Sequence, residues 1–221
     1  MRQKIHPIRL RLGITRSFRT HWYVKSPFYK TFVQKDYLIC KLLKKLPRRY
    51  IISKIELERR GANLRINIFT SQIKYFLIIE NGKSLRKQLK KAVTRVTKRR
   101  KYRYRFLQKN TQIQIFIHQV SYPNENATCL AYFIVITLEQ RIAFRRVLRN
   151  VKERVKSLER VKGFRLQVSG RLNGSEIARI EWIRRGQISL HTLSSNLNFS
   201  YKIAHTTYGS IGVKVWLRIV P

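Results

Sequence analysis

Apolar residues recur at helical spacing from Asp36 onward: Leu38, Ile39, Leu42, Leu43 and Leu46 share one face, with Lys41, Lys44 and Lys45 on the other. Pro47 ends this run. Two alternating runs follow. Ile55 and Leu57 alternate with charged residues, then Leu64, Ile66 and Ile68 alternate with Arg65 and Asn67, and the polar stretch 59–63 between them predicts a hairpin connection. A short apolar stretch, Tyr75 to Ile79, leads through Glu80-Asn81-Gly82-Lys83 to Ser84, a helix cap ahead of Leu85, Leu89, Ala92, Val93 and Val96. Residues 97–109 are basic with interleaved aromatics, and Ile113, Ile115 and Ile117 then mark one face of a strand. The predicted order is helix, strand, strand, short helix, turn, helix, strand: a compact α+β unit whose three strands can share one sheet.

Ser121-Tyr122-Pro123-Asn124 separates this unit from a second patterned half, so three segments are expected: a basic arm over 1–35, a unit over 36–120 and a unit over 121–221. The second half opens with an apolar helix over about 125–138 and a basic helix over 141–160. Phe164, Leu166 and Val168, and later Val213, Val215, Leu217 and Ile219, alternate as strands; Glu176 and Glu181 are read onto a helix between them. There is no internal repeat and no low-complexity linker.

The basic helix sorts its charges. Phe144, Val147, Leu148, Val151, Val155 and Leu158 fall within about 100° of one another, a core-facing stripe. Arg145, Arg149, Lys152 and Lys156 repeat at four, three and four, forming a second stripe flanked by Arg141, Arg146 and Arg160. Cations stacked about 5 to 6 Å apart match successive phosphates of a single strand. A solvated charged face usually mixes signs, and this stripe does not, Glu153 and Glu159 being the only acidic relief on the helix. The stretch from Lys98 to Phe106 is a second candidate, with arginines for phosphate and aromatics for bases or ribose.

Composition extends this picture. The 221 residues carry 49 Lys and Arg against 10 Asp and Glu, a formal charge of +39, which points to a polyanionic partner; nucleic acid fits because each neutralised phosphate releases counterions. With 43% hydrophobic residues the chain can still build cores. The longest apolar run, Cys129 to Thr137, is about half the ~18 residues of a membrane span, so no membrane partner is expected. Cys40 and Cys129 sit in apolar contexts as core thiols, too few for a zinc site or a disulfide framework. One Asp and nine Glu without a close cluster exclude a two-metal centre. His191 beside Thr192 and His205 beside Thr206 lack an Asp to orient them, so no catalytic residue, metal, cofactor or small-molecule substrate is expected. Trp182 and Trp216 read as core or RNA-facing aromatics. The arginine- and serine-bearing first 35 residues resemble an organellar transit peptide in composition, but Trp22, Tyr23, Phe28, Tyr29, Phe32 and Val33 are anchors for a segment that stays.

The C-terminal third carries a specific set of blocks. Residues 169–182 read SGRLNGSEIARIEW, 190–193 LHTL, 204–209 AHTTYG and 211–216 IGVKVW. Gln3-Lys4-Ile5-His6-Pro7, Arg11-Leu12-Gly13-Ile14, Ile52-Ser53-Lys54-Ile55 with Glu58-Arg59, and Phe144-Arg145-Arg146 agree with the same pattern. Over nearly its whole length the chain resembles the ribosomal protein S3 family of the small subunit, bacterial and organellar branch.

That resemblance implies an N-terminal KH domain of the second type, here 36–120, followed by a two-layer C-terminal α/β domain. It implies a place in the head of the small subunit, with rRNA, mRNA and neighbouring ribosomal proteins as partners. Family members hold mRNA at the entry channel with a basic helix; the matching positions are Arg145, Arg146 and Arg149, the last an Arg where bacterial forms commonly have Lys, and Lys152 joins them from the stripe. Contact with rRNA is assigned to Lys4, Arg9 and Arg11 in the arm, to Lys98, Arg99, Arg100, Arg103 and Arg105, and to Arg171 and Arg179. The GxxG loop of KH domains, which brings backbone close to nucleotides, corresponds to Ile79-Glu80-Asn81-Gly82, a degenerate form in which the first Gly is lost and an acid enters. The family start falls at Met1, which argues against a transit segment. A chain rich in Ile, Lys, Tyr and Phe in an often organelle-encoded family suggests a plastid ribosome in the stroma, with mitochondrial or bacterial cytoplasmic origin as alternatives. The competing function is an RNA-binding regulator acting outside the ribosome through its KH domain.

Overall fold

The computed structural model describes residues 5–44, 46–47, 50–61, 63–74, 91, 93–95 and 112–220. It divides the chain into two compact units: Phe18–Ser121, and a discontinuous unit made of Met1–Ser17 with Tyr122–Pro221.

The Phe18–Ser121 unit is mixed α+β. Its sheet has the order β1-β2-β3-β4, with β1 at Thr20–His21, β2 at Ile52–Arg60, β3 at Asn63–Thr70 and β4 at Gln112–Gln119. Strands β2 and β3 are antiparallel, and Arg60 pairs with Asn63 around Gly61, whose φ of 55° is one that glycine adopts without a side-chain clash. Strands β3 and β4 are parallel, with Leu64, Ile66 and Ile68 beside Ile113, Ile115 and Ile117. A parallel pair needs a crossover. Residues 71–111 supply it, and from that connection Val93 is helical and fully buried in this unit's core.

A long helix packs on this sheet. It runs Ser26–Lys44 (α2, following the short α1 at Pro7–Arg11), ten residues earlier than the apolar periodicity from Asp36 predicts. Pro27 lies in the first turn, where its missing N–H costs nothing. Ile39 and Leu43 are completely buried against Leu57, Leu64, Ile66 and Ile68. Each such side chain contributes about 1.5–3 kcal/mol through burial.

The 1–35 segment expected as one arm is divided between the units. Residues 18–35 are held by Asp36, whose carboxylate accepts from Trp22 Nε1 at 2.7 Å and from Arg59. Trp22 also packs on Tyr29 and Phe32, with centroids 5.6 and 5.7 Å apart.

The discontinuous unit is a helix-on-sheet sandwich. Its antiparallel sheet, order β6-β5-β8-β7, comprises β5 (Val161–Gly170), β6 (Arg179–Gly186), β7 (Leu197–Thr206) and β8 (Gly209–Ile219). Helices α3 (Ala127–Glu139) and α4 (Phe144–Lys156) pack on one face. Asn126 caps α3 by accepting from the Thr128 amide at 2.9 Å. Leu130, Ile134, Val147 and Val151 meet Leu166, Val168, Val213, Val215 and Leu217 in the core. The other face of the sheet carries Arg165, whose guanidinium lies 5.2 Å from the Trp182 ring and 5.3 Å from the Trp216 ring.

Two expectations change here. Glu181 lies on strand β6 rather than a helix, because β5 offers it a full antiparallel register in which Glu181 faces Val168. Residues 5–17 belong with the C-terminal unit because Arg11 ties them to residues 189–195.

Candidate nucleic-acid interface

Helix α4 presents the charge stripe to solvent. Phe144, Val147, Leu148, Val151 and Val155 are buried, while Arg145, Arg146, Arg149, Lys152 and Lys156 are exposed. Among the described residues none of these five cations has a carboxylate within ion-pair distance; the three ion pairs join Lys54 to Glu56, Arg59 to Asp36 and Arg65 to Glu58. Arg154, off the stripe, is spent on packing, with its guanidinium 3.9 Å from the Phe133 ring.

The charges run against local helix preference. Arg154 and Lys156 in the last turn suit the helix dipole, but Arg145 and Arg146 stand in the first turn, with no acid beside them. Each cation there costs about 0.3–1 kcal/mol at an exposed site. Helix stability therefore does not explain two cations at this end.

Beside the start of α4 lies a cleft of about 410 Å3, lined by Phe144, Arg145, Leu172, Ser175, Arg179 and Glu181 among others. Phe144 and Leu172 are buried and give it an apolar base, while Arg145, Arg179 and Glu181 are exposed. Asn173, at φ 54°, accepts from the Phe144 amide at 3.3 Å through Oδ1, so the segment after β5 caps α4. Gly174, at φ 79°, lies where a Cβ would come within 3.1 Å of the Tyr208 ring. Arg171 Nε donates to the Ser175 carbonyl at 2.9 Å and closes the same turn.

The expected site residues thus separate. Arg145, Arg146, Arg149 and Lys152 share one exposed helix face, and Arg179 comes from β6 to the same cleft as Arg145. Arg171 and Arg9 are exposed elsewhere on this unit. Arg11 is a correction: it is 1% exposed. Its guanidinium donates to the carbonyls of Pro7, Ser189, Leu190, Thr192 and Ser195 and to Ser195 Oγ, at 2.8 to 3.3 Å. Burial lowers its pKa from the ordinary arginine value. A guanidinium so enclosed is not on the surface. Lys4, the basic residues Lys98, Arg99, Arg100, Arg103 and Arg105, and the loop Ile79-Glu80-Asn81-Gly82 lie outside the described residues.

Sequence reasoning missed the Arg165 stack between Trp182 and Trp216, and the partnership of Arg160 with the Tyr122 ring at 5.0 Å. Only the alternation of β5 and β8 pointed to the first. The two histidines weighed for catalysis are exposed, and it is the backbone amide of His205, not its ring, that bonds to Glu139 at 2.9 Å. Among the described residues no three His, Cys, Asp or Glu cluster in a way that could hold a metal ion.

Comparison with known proteins places this architecture. Residues 134–217 match the family model described as ribosomal protein S3, C-terminal domain. The small ribosomal subunit protein uS3c of Gracilaria tenuistipitata var. liui is 39% identical over 217 residues, 98% of this chain and 94% of its own length. The uS3 protein of Synechocystis sp. is 36% identical over 98% of this chain and 85% of its own. The uS3c protein of Porphyra purpurea is 36% identical over 98% and 89%. With identities of 36–39% running through nearly all of the sequence, the chain belongs to the bacterial and organellar branch of the ribosomal protein S3 family.

Proposed function

We propose that this chain is a structural constituent of the small ribosomal subunit head, binding rRNA and neighbouring head proteins and contacting mRNA at the entry channel. The observation that carries the mRNA part is the exposed, unpaired row Arg145, Arg149 and Lys152 with Arg146 beside it on α4. An unfolded message passing such a row meets a cation at each helical turn, which favours single-stranded over base-paired RNA. Arg9, Arg171 and the basic stretch 98–105 with Lys4 serve rRNA.

Residues 36–120 act as a type II KH domain in this reading. The order α2, β2, β3, crossover, β4, with β3 and β4 parallel, supports it. Ile79-Glu80-Asn81-Gly82 stands where the GxxG loop would be, and Glu80 makes this loop a weak phosphate binder. The plastid and cyanobacterial relatives support a plastid ribosome in the stroma as the setting.

The test replaces Arg145, Arg146 and Arg149 with Ala in ribosomes that carry this chain. Subunits should assemble, and translation through a stable mRNA hairpin should slow more than translation of an unstructured message. Equal slowing on both messages overturns the entry-channel role. Sedimentation of the native chain away from small subunits at high magnesium overturns the ribosomal one.

A further inference from the structure

The cleft between the start of α4 and strand β6 has a chemical composition that the charge stripe does not explain. Arg145 and Arg179 bring two guanidiniums to it, and Glu181 brings a carboxylate. Among the described residues Glu181 forms no ion pair, although both arginines line the same cleft. Register explains the juxtaposition: Arg179 and Glu181 are two apart on β6 and so share a face, the one on which Glu181 meets Val168 of the core. Two other polar atoms of the lining are already engaged. Asn173 Oδ1 takes the Phe144 amide, and Ser175 Oγ donates to the Ile177 carbonyl at 3.0 Å. The two guanidiniums and the Glu181 carboxylate are the charged groups left open above the apolar base of Phe144 and Leu172.

This set discriminates between ligands. A free phosphate or sulfate is drawn by the arginines and repelled by Glu181. A divalent cation meets the reverse. A ligand with an anionic group at one end and a hydroxyl donor at the other satisfies all three side chains. At about 410 Å3 the cleft is at the small end of the range for ligand sites, about 300–1,000 Å3, the scale of one nucleotide. The 2′-hydroxyl is the donor that RNA has and DNA lacks.

We propose that this cleft is a ribonucleotide pocket: Arg145 and Arg179 hold a phosphate of the RNA strand running along α4, and Glu181 accepts a hydrogen bond from the adjoining 2′-hydroxyl. Arg179 is thereby moved from the rRNA contacts to the strand on α4. The assignment rests on the reading of α4 as an RNA-gripping helix, because Arg145 belongs to both the stripe and the cleft. It adds a function the stripe alone cannot perform, since a row of cations grips any polyanion and a placed carboxylate selects RNA.

The probe is a short 4-thiouridine-containing oligoribonucleotide and its 2′-deoxy counterpart, photo-crosslinked to the full chain, with sites mapped by mass spectrometry. Wild-type protein should crosslink the ribo-oligonucleotide at Phe144 and within 172–181, several-fold more than the deoxy form. Arg179→Ala should abolish crosslinks at the cleft while leaving those along 149–156. Glu181→Ala should bring the ribo and deoxy yields at the cleft together, chiefly by raising the deoxy yield as a repulsive charge is removed. Both residues are exposed, so neither change threatens the fold. Crosslinks along 149–156 with none at the cleft overturn the pocket and leave the stripe standing; crosslinks at neither remove the reading of α4 as well. A ribo preference that survives Glu181→Ala, or an effect of that change that depends on base identity instead of the 2′-hydroxyl, also overturns the proposal.

Discussion

Replacing Arg11 with Met should destabilise the discontinuous unit by about 3 kcal/mol, because buried carbonyls are left without a partner at about 1–3 kcal/mol each while the cost of burying the cation is relieved. The aliphatic stem is retained, and the five carbonyls of Pro7, Ser189, Leu190, Thr192 and Ser195 lose their shared donor. Six contacts do not count as six bonds. Four acceptors face Nη2, which has two hydrogens, so the guanidinium makes about four effective bonds; at about 1.5–3 kcal/mol each for a charged donor, simple addition gives about 6–12 kcal/mol, comparable to the whole stability of a domain. Desolvation of the cation offsets part of that sum, as its lowered pKa indicates. Lys in the same place should recover less than half, because an ammonium lacks the planar fork that reaches carbonyls on several sides. The assay is urea denaturation of the full chain at fixed salt in a Trp22→Phe background, where Trp182 and Trp216 report on this unit alone. A loss under about 1 kcal/mol, or reduced RNA affinity with unchanged stability, would return Arg11 to the RNA-binding surface.

In the Phe18–Ser121 unit, Asp36→Asn should cost about 3 kcal/mol by leaving the Arg59 guanidinium buried without its anion, read by thermal unfolding through Trp22; a change below about 1 kcal/mol would show that solvent reaches the pair. Lys35 is held below its ordinary pKa by burial first and by nearby Arg59 second. The unfolded chain binds that proton more tightly, so the group destabilises the fold fully below its folded pKa and is relieved as pH rises from there to the ordinary lysine value of 10.5. Lys35→Met should therefore stabilise at pH 7, with the gain shrinking at pH 10; a gain independent of pH refutes the assignment. Gly186, at φ 67°, would place a Cβ 2.0 Å from the Lys162 carbonyl, so Gly186→Ala should loosen β6 from β5 and cost at least about 2 kcal/mol. Gly61→Ala, strained at φ 55° but with nothing within 4 Å, should cost about 1 kcal/mol; equal costs at both sites would mean that strain, not the clash, dominates.

Where one face of an element is buried and the other wet, the sequence was readable. The five buried residues of α4 and its exposed cations fall as the 3.6-residue period places them, and Ile113 and Ile115 of β4 are buried as alternation requires. Strand β6 escaped because seven of its eight residues are exposed, leaving no contrast between faces for a period to reveal. The early start of α2 was signalled by Ser26-Pro27, but Tyr29, Phe32 and Val33 looked like anchors of an arm because their partners, Trp22 and Arg59, are outside the helical repeat. For the cleft, two arginines and a glutamate spread over 37 positions become neighbours only through the β5–β6 pairing, which single-sequence periodicity does not specify. Arg11 is the clearest case. A buried arginine satisfied by backbone carbonyls has no sequence signature, since its partners are peptide groups that every residue possesses.

The bonds from Arg11 to residues 189–195 also set an order of events during synthesis. Residues 18–121 can close their sheet and core while the ribosome is still making the C-terminal half, because every strand of that unit is then present. The N-terminal segment cannot join its own unit until more than 170 further residues have emerged. Through that interval a short cationic segment is without its carbonyl partners, and its docking marks that synthesis has passed residue 195.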